Sequence, residues 1–235
     1  MLRSLVGSEM CIRDRINILQ HTPNEGPGVI RDWATEHHHE LYIYHPYFNG
    51  GIIPNVKETD LLIILGGPMS PNNEDKWIFE ERELIRNLIQ QGKLIFGICF
   101  GAQQIAKALG YTVGKSPVKE VGWNKVYRES SIIPNIPKEL MALHWHEETF
   151  YIPKNAQLLF SSQYLKNQGF ILNNNIIGLQ FHFEPDAHDI KEIVMNDASY
   201  AVDSVLNQTS EQILNQEVPK AVSYTHLRAH ETPEH

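Results

Sequence analysis

The period of apolar and polar positions changes along the chain, and each change marks an element. Arg15 to Gln20 (RINILQ) has the apolar content of a short first strand. A Gly26-Pro27-Gly28 loop follows, then a helical stretch over about Val29 to His37 and a second short strand, Leu41 to Tyr44. Leu61 to Leu65 (LLIIL) is a continuous apolar run, the pattern of a central parallel strand covered on both faces. It ends in the tight turn Gly66-Gly67-Pro68. Asn73 is placed to cap the next helix, with Glu74 and Asp75 near its positive end. Trp77, Ile78, Leu84, Ile85, Leu88 and Ile89 recur on one face of that helix, and Gly92 is its stop signal. Leu94 to Ile98 (LIFGI) reads as another buried strand running straight into Cys99, and a short helix extends to Leu109, stopped by Gly110.

The second half is richer in strands. Gly122 to Arg128, Gln157 to Ser161, Gly169 to Leu172 and Ile176 to Phe183 are candidates, with Asn173-Asn174-Asn175 as a hairpin turn between the last two. A final helix is predicted over about Ala187 to Leu206. Strand and helix alternating in the first half argue for a parallel sheet with helices on both faces.

Composition narrows the class. A chain of 235 residues supports one sizeable core. With 42% hydrophobic and 20% charged residues it reads as an ordinary globular protein. No stretch approaches the ~18 consecutive apolar residues of a membrane span. The net charge of −8 argues against nucleic-acid binding. Two cysteines, Cys11 and Cys99, argue against a disulfide scaffold, and a reducing cytoplasm is the expected compartment. His37-His38-His39 reads as the wet end of a helix, so neither a metal nor a cofactor is expected. Residues 1–15 and 221–235 resemble translated sequencing-adapter sequence or disordered tails. The expected domain is therefore residues 16–220, with Cys99 as its sole cysteine.

The chemistry centres on that cysteine. Gly97-Ile98-Cys99-Phe100-Gly101 is a strand-to-helix turn with glycine on both sides of a nucleophile, the physics of a nucleophile elbow. The N-terminus of the following helix favours a thiolate and an oxyanion. In Leu179-Gln180-Phe181-His182-Phe183-Glu184 a period of two sends Gln180, His182 and Glu184 to one face. That spacing suits a histidine base oriented by a carboxylate, and it suits equally the wet face of a half-exposed strand. Phe100 N–H and Gly67 N–H are candidate oxyanion donors at the carboxyl edge of two adjacent parallel strands. Gln103 lies one helical turn beyond Cys99. His144-Trp145-His146 either lines the pocket or forms a loop with a half-buried indole.

Taken in order, Leu65-Gly66-Gly67-Pro68-Met69-Ser70, Gly97 to Gln103, Gly122-Trp123, His144-Trp145-His146 and Gln180 to Glu184 resemble the class I (triad) glutamine amidotransferases, above all the stand-alone proteins similar to the glutaminase domain of GMP synthase. The resemblance spans nearly all of residues 16–206. It implies a flavodoxin-like three-layer α/β sandwich, a mostly parallel central sheet with an antiparallel C-terminal extension. It also implies glutamine hydrolysis without a metal through Cys99, His182 and Glu184, with oxyanion donors at Gly67 and Phe100. Gln103, His144 and His146 fall at substrate-binding positions. With the domain expected to end near residue 206, the ammonia goes to a synthetase or other acceptor on another chain or is lost. Two departures stand out. Phe183 occupies the place where the family usually has proline, which leaves the placement of Glu184 open. Glu147-Glu148 stands where glycine and aspartate are usual, which leaves substrate preference open. The rival readings are a cysteine hydrolase of γ-glutamyl peptides or conjugates, and a non-catalytic binding or regulatory module.

Overall fold

A computed structural model describes residues 14–48 and 51–218; Cys11 and both terminal segments, apart from residues 14 and 15, lie outside the described residues. Five strands form the parallel half of one sheet: β1 (Arg15–Leu19), β2 (Glu40–Tyr44), β3 (Leu61–Ile64), β4 (Leu94–Ile98) and β9 (Ile176–Leu179). Four more continue it antiparallel: β5 (Val113–Arg128), β6 (Glu139–Phe150), β7 (Gln157–Ser162) and β8 (Gly169–Leu172). The order is β2-β1-β3-β4-β9-β8-β7-β5-β6. Its parallel part has the 2-1-3-4-5 plan of the flavodoxin-like sheet, with β9 in the fifth place.

Helix α1 (Val29–Glu36) covers one face, its Ile30 and Trp33 packing with Ile16, Ile18, Ile63 and Phe96. Helices α2 (Lys76–Gln90) and α3 (Phe100–Ala108) cover the other, where Leu84, Leu88 and Ile105 meet Leu62, Ile64 and Ile95. Every residue of β3 is buried, as its unbroken apolar run requires. Each such Leu or Ile side chain contributes about 1.5–3 kcal/mol. Helices α4 (Ala187–Asn196) and α5 (Ser210–Asn215) close the antiparallel end around Trp123, Leu143 and Ile213.

Several boundaries differ from the sequence reading. Asp75, not Asn73, sits at the N-cap of α2. The last predicted helix stops at Asn196, followed by a 3₁₀ turn at Ala198–Ala201. The strand expected to reach Phe183 ends at Leu179, and His182 pairs only by an isolated bridge to Leu143. β6 and α5 have no counterpart among the sequence expectations. His144-Trp145-His146 is strand, not loop. Among the described residues no helix is long and apolar enough to cross a membrane.

Candidate active site

Strand β4 delivers Cys99 to the carboxyl edge of the parallel sheet, and α3 begins at the next residue. Cys99 has φ 50° and ψ −108°, a strained conformation for a residue with a side chain. The flanking glycines allow it. A Cβ on Gly101 would lie 2.1 Å from the Ile64 carbonyl oxygen, and one on Gly97 2.6 Å from the Gly101 backbone. Only bare backbone lets α3 sit this tightly on β3 and β4.

His182 reaches the cysteine from the loop after β9. Its backbone N–H donates to Leu143 O at 2.8 Å, and Leu143 N–H returns a bond to His182 O at 3.2 Å. The His182 side chain interacts with Cys99, and its Nδ1 lies 2.7 Å from Glu184 Oε1. Nδ1 is therefore committed to the carboxylate, leaving Nε2 for the sulfur. Burial alone would pull the imidazole down; the Glu184 charge and the hydrogen bonds to Cys99 and Glu184 outweigh it and hold His182 well above its usual value. Both His182 and Glu184 are 2% exposed, so the alternative of a half-wet strand face does not apply.

Phe183 resolves the question raised by the missing proline. Its ring packs edge-on against Phe96 at 5.5 Å. Its backbone N–H donates to Glu184 Oε2 at 3.0 Å, a bond that proline, lacking the proton, cannot make. The Glu184 carboxylate is thereby held at both oxygens. The Glu184 backbone carbonyl also accepts Val29 N–H at 3.0 Å, from the first turn of α1.

The expected oxyanion donors stand in the expected turns. Neither Gly67 N–H nor Phe100 N–H has a hydrogen-bond acceptor among the described residues. A Cβ on Gly67 would lie 2.5 Å from the Met69 sulfur; one on Gly66 would lie 2.3 Å from Glu25 Oε2 and 2.8 Å from His182 Cε1. A side chain at either position would have to displace a neighbour, the His182 ring at Gly66 and the His21 Cβ, 2.9 Å away, at Gly67. Gly67, Cys99, Gln103 and His146 line a cavity of about 560 Å³. His144 does not reach it and lies fully buried behind His146. Burial, with repulsion from neighbouring imidazoles, lowers His146 to about 3 and His144 well below its usual value, so both rings are neutral.

Three contributors escaped the sequence reading. Gln180 Nε2 donates to Cys99 Sγ at 3.7 Å, and its Oε1 accepts from Gln103 Nε2 at 3.2 Å. The period-two alternation already puts it on the His182 face. His21 Nδ1 contacts the carbonyls of Leu65 and Gly66, both at 3.2 Å, while Nε2 lies 2.8 Å from Glu81 Oε2. This fully buried pair pins the glycine turn, and nothing in the local pattern of either residue announces it. Glu25 lines the cavity beside His182, with burial the main influence pushing its carboxyl up.

Comparison with known proteins agrees with this geometry. The sequence model of the class-I glutamine amidotransferases matches residues 33–198. The glutamine amidotransferase-like protein YfeJ of Salmonella typhimurium is 26% identical over 200 residues, covering 81% of this chain and 84% of its own length. A subunit of the glutamine-hydrolyzing GMP synthase of Sulfolobus acidocaldarius is 36% identical over 137 residues, 56% of this chain and 71% of its own. The crystal structure of a glutamine amidotransferase from Methylobacillus flagellatus superposes with a TM-score of 0.81 at 28% identity, covering 86% of each chain. With its sheet order, its cysteine elbow and this match across most of its length, the chain belongs to the class-I glutamine amidotransferase family.

Proposed function

We propose that this protein hydrolyses the side-chain amide of glutamine through Cys99, His182 and Glu184 and passes the ammonia to a separate acceptor chain. The observation that carries the reading is the continuous chain of contacts from Cys99 through His182 to Glu184 beside the cavity. The thiolate adds to the amide carbon, and the oxyanion so formed meets the free N–H groups of Gly67 and Phe100, each worth about 3 kcal/mol. His182, as imidazolium, gives its proton to the departing nitrogen. Ammonia leaves and a γ-glutamyl thioester remains. Neutral His182 then takes a proton from water, whose oxygen attacks the thioester; glutamate departs and the thiolate and imidazolium are restored. Gln103 and His146, on the cavity wall, are the side chains placed to meet the rest of the substrate. The likeness to a GMP synthase component that is one of several subunits supports a partner chain as ammonia acceptor.

The test is glutamate release from glutamine by the full chain and by Cys99→Ala. The variant should lose activity by roughly 10⁴-fold or more while its circular dichroism and melting curve stay near those of the parent. Equal turnover by the two would dispose of the reading, and so would an inactive parent, which is the outcome for a non-catalytic module. A second reading, hydrolysis of γ-glutamyl peptides or conjugates, draws on the cavity: about 560 Å³ is the size of clefts that take ligands larger than one amino acid.

A further inference from the structure

Behind the catalytic imidazole lies a second group of side chains, of which only His146 borders the cavity. Glu120 on β5 stands directly opposite His146 on β6, and His144 stands opposite Gly122. Residues two apart on paired strands share a face, so the three side chains converge. Their exposures are 0% for Glu120 and His144 and 1% for His146. Glu120 Oε2 lies 3.5 Å from His146 Nε2 and 3.8 Å from His144 Nδ1. One donor atom from each residue falls within 4.8 Å of the other two.

These separations are too long for hydrogen bonds. They are close to the edge of a tetrahedron, about 3.3 Å for donors about 2.0–2.1 Å from a central ion. Among the described residues none of the four ring nitrogens of His144 and His146 has a hydrogen-bond partner, and Oε1 of Gln168, whose amide nitrogen holds Glu120, also lacks one. The backbone of Asn124 approaches His144 and that of Glu148 approaches His146, but neither completes a bond of regular geometry. So many buried polar atoms without partners in one place are rare in folded proteins. The carboxylate, by contrast, is firmly oriented: Ser162 Oγ donates to Glu120 Oε1 at 2.8 Å and Gln168 Nε2 to Oε2 at 2.6 Å. Metal-binding carboxylates are held by outer partners in this way. His146 borders the cavity, which gives an ion a way in. The other acidic and histidine cluster, Asp186-His188-Asp189, is more exposed and already engaged in capping α4.

We propose that Glu120, His144 and His146 form a binding site for a divalent transition-metal ion of the zinc class, held by two imidazole nitrogens and one carboxylate oxygen with water in the fourth position. The ion ties β5 to β6 where β6 anchors His182 through Leu143. It contacts neither the reacting carbon nor the sulfur, so its role is to position the strand on which the base is anchored.

The experiment uses the full chain without an added histidine tag, stripped with a chelator and then given Zn²⁺ or Co²⁺. One equivalent of Zn²⁺ should survive gel filtration in the parent and in Cys99→Ser, and should raise the melting temperature of both. Glu120→Gln and His146→Gln should weaken retention at least tenfold, and Gln168→Leu about 10–100-fold. If the ligand variants fail to fold, the parent with Co²⁺ decides the matter: a tetrahedral visible spectrum without a sulfur charge-transfer band is expected. No retained metal, a sulfur band, or loss of the ion in Cys99→Ser would each overturn the proposal.

Discussion

Gly101 bears on the Ile64 carbonyl so closely that a single methyl group has nowhere to go, because the nearest obstructing atoms are backbone. Gly101→Ala should lower stability by about 3 kcal/mol, read as a drop in melting temperature. Gly114, where a Cβ meets nothing within 4 Å and the backbone is not left-handed, is the control. His182 offers a second residue-level test. Its folded value lies above the unfolded one, because Glu184 and the hydrogen bonds outweigh burial. The stability this pairing contributes is therefore complete below about pH 6.5 and is lost as pH rises through the folded value. On the proposed mechanism the same proton is given to the leaving nitrogen, so activity should fall across the same alkaline window. Glu184→Gln removes the charge that raises it. A pH–rate profile should show the alkaline limb displaced to lower pH and a reduced maximum rate; an unmoved limb would remove Glu184 from its assigned role. The elbow glycines around Cys99 and the spacing that sets His182 beside Glu184 were legible in the sequence. Phe183 was legible only as a departure, since its contribution is a backbone proton that residue identity does not advertise.

β5 and β6 form a long antiparallel ribbon whose inner face is only partly apolar. On β6, Leu140, Ala142, His144 and His146 alternate inward, so half of that buried row is histidine. A hydropathy pattern counts histidine as polar, and the strand was therefore invisible as a strand. β3 and β4, apolar throughout, were read without difficulty. The buried rings carry a pH consequence. Both are held neutral when folded and would be protonated when unfolded, so the stability they allow is present above about pH 6.5 and declines as pH falls toward His146's value of about 3. Each ring costs about 1.4 kcal/mol per pH unit in that window, and the raised carboxyl of Glu120 offsets part of it at the acid end. In chelator, melting temperature should drop steadily from about pH 6.5 to about pH 5, and less steeply in His146→Gln. Equal slopes would show that the rings are not buried as described.

The whole sheet assembles what no single element holds. Cys99 comes from the end of β4, His182 from the loop after β9, the Gly66-Gly67 turn from the end of β3, and β4 pairs with both β3 and β9. The cavity above them draws on segments from Thr22 to Tyr200, and its size bears on substrate choice. Turnover of glutamine compared with a γ-glutamyl dipeptide should favour glutamine if the primary reading holds; a large preference for the dipeptide would transfer the assignment to the second.

By itself the sequence determined the alternating parallel half, the glycine-flanked cysteine and the spacing that sets His182 beside Glu184, because local period and residue identity are properties of neighbouring positions. Tertiary structure alone decided that Glu81 and His21 would brace the glycine turn and that Gln180 would reach the sulfur. It alone decided that Glu120 would meet His144 and His146. Those contacts join positions tens of residues apart, and strand order and register, which no short window of sequence contains, bring them within reach.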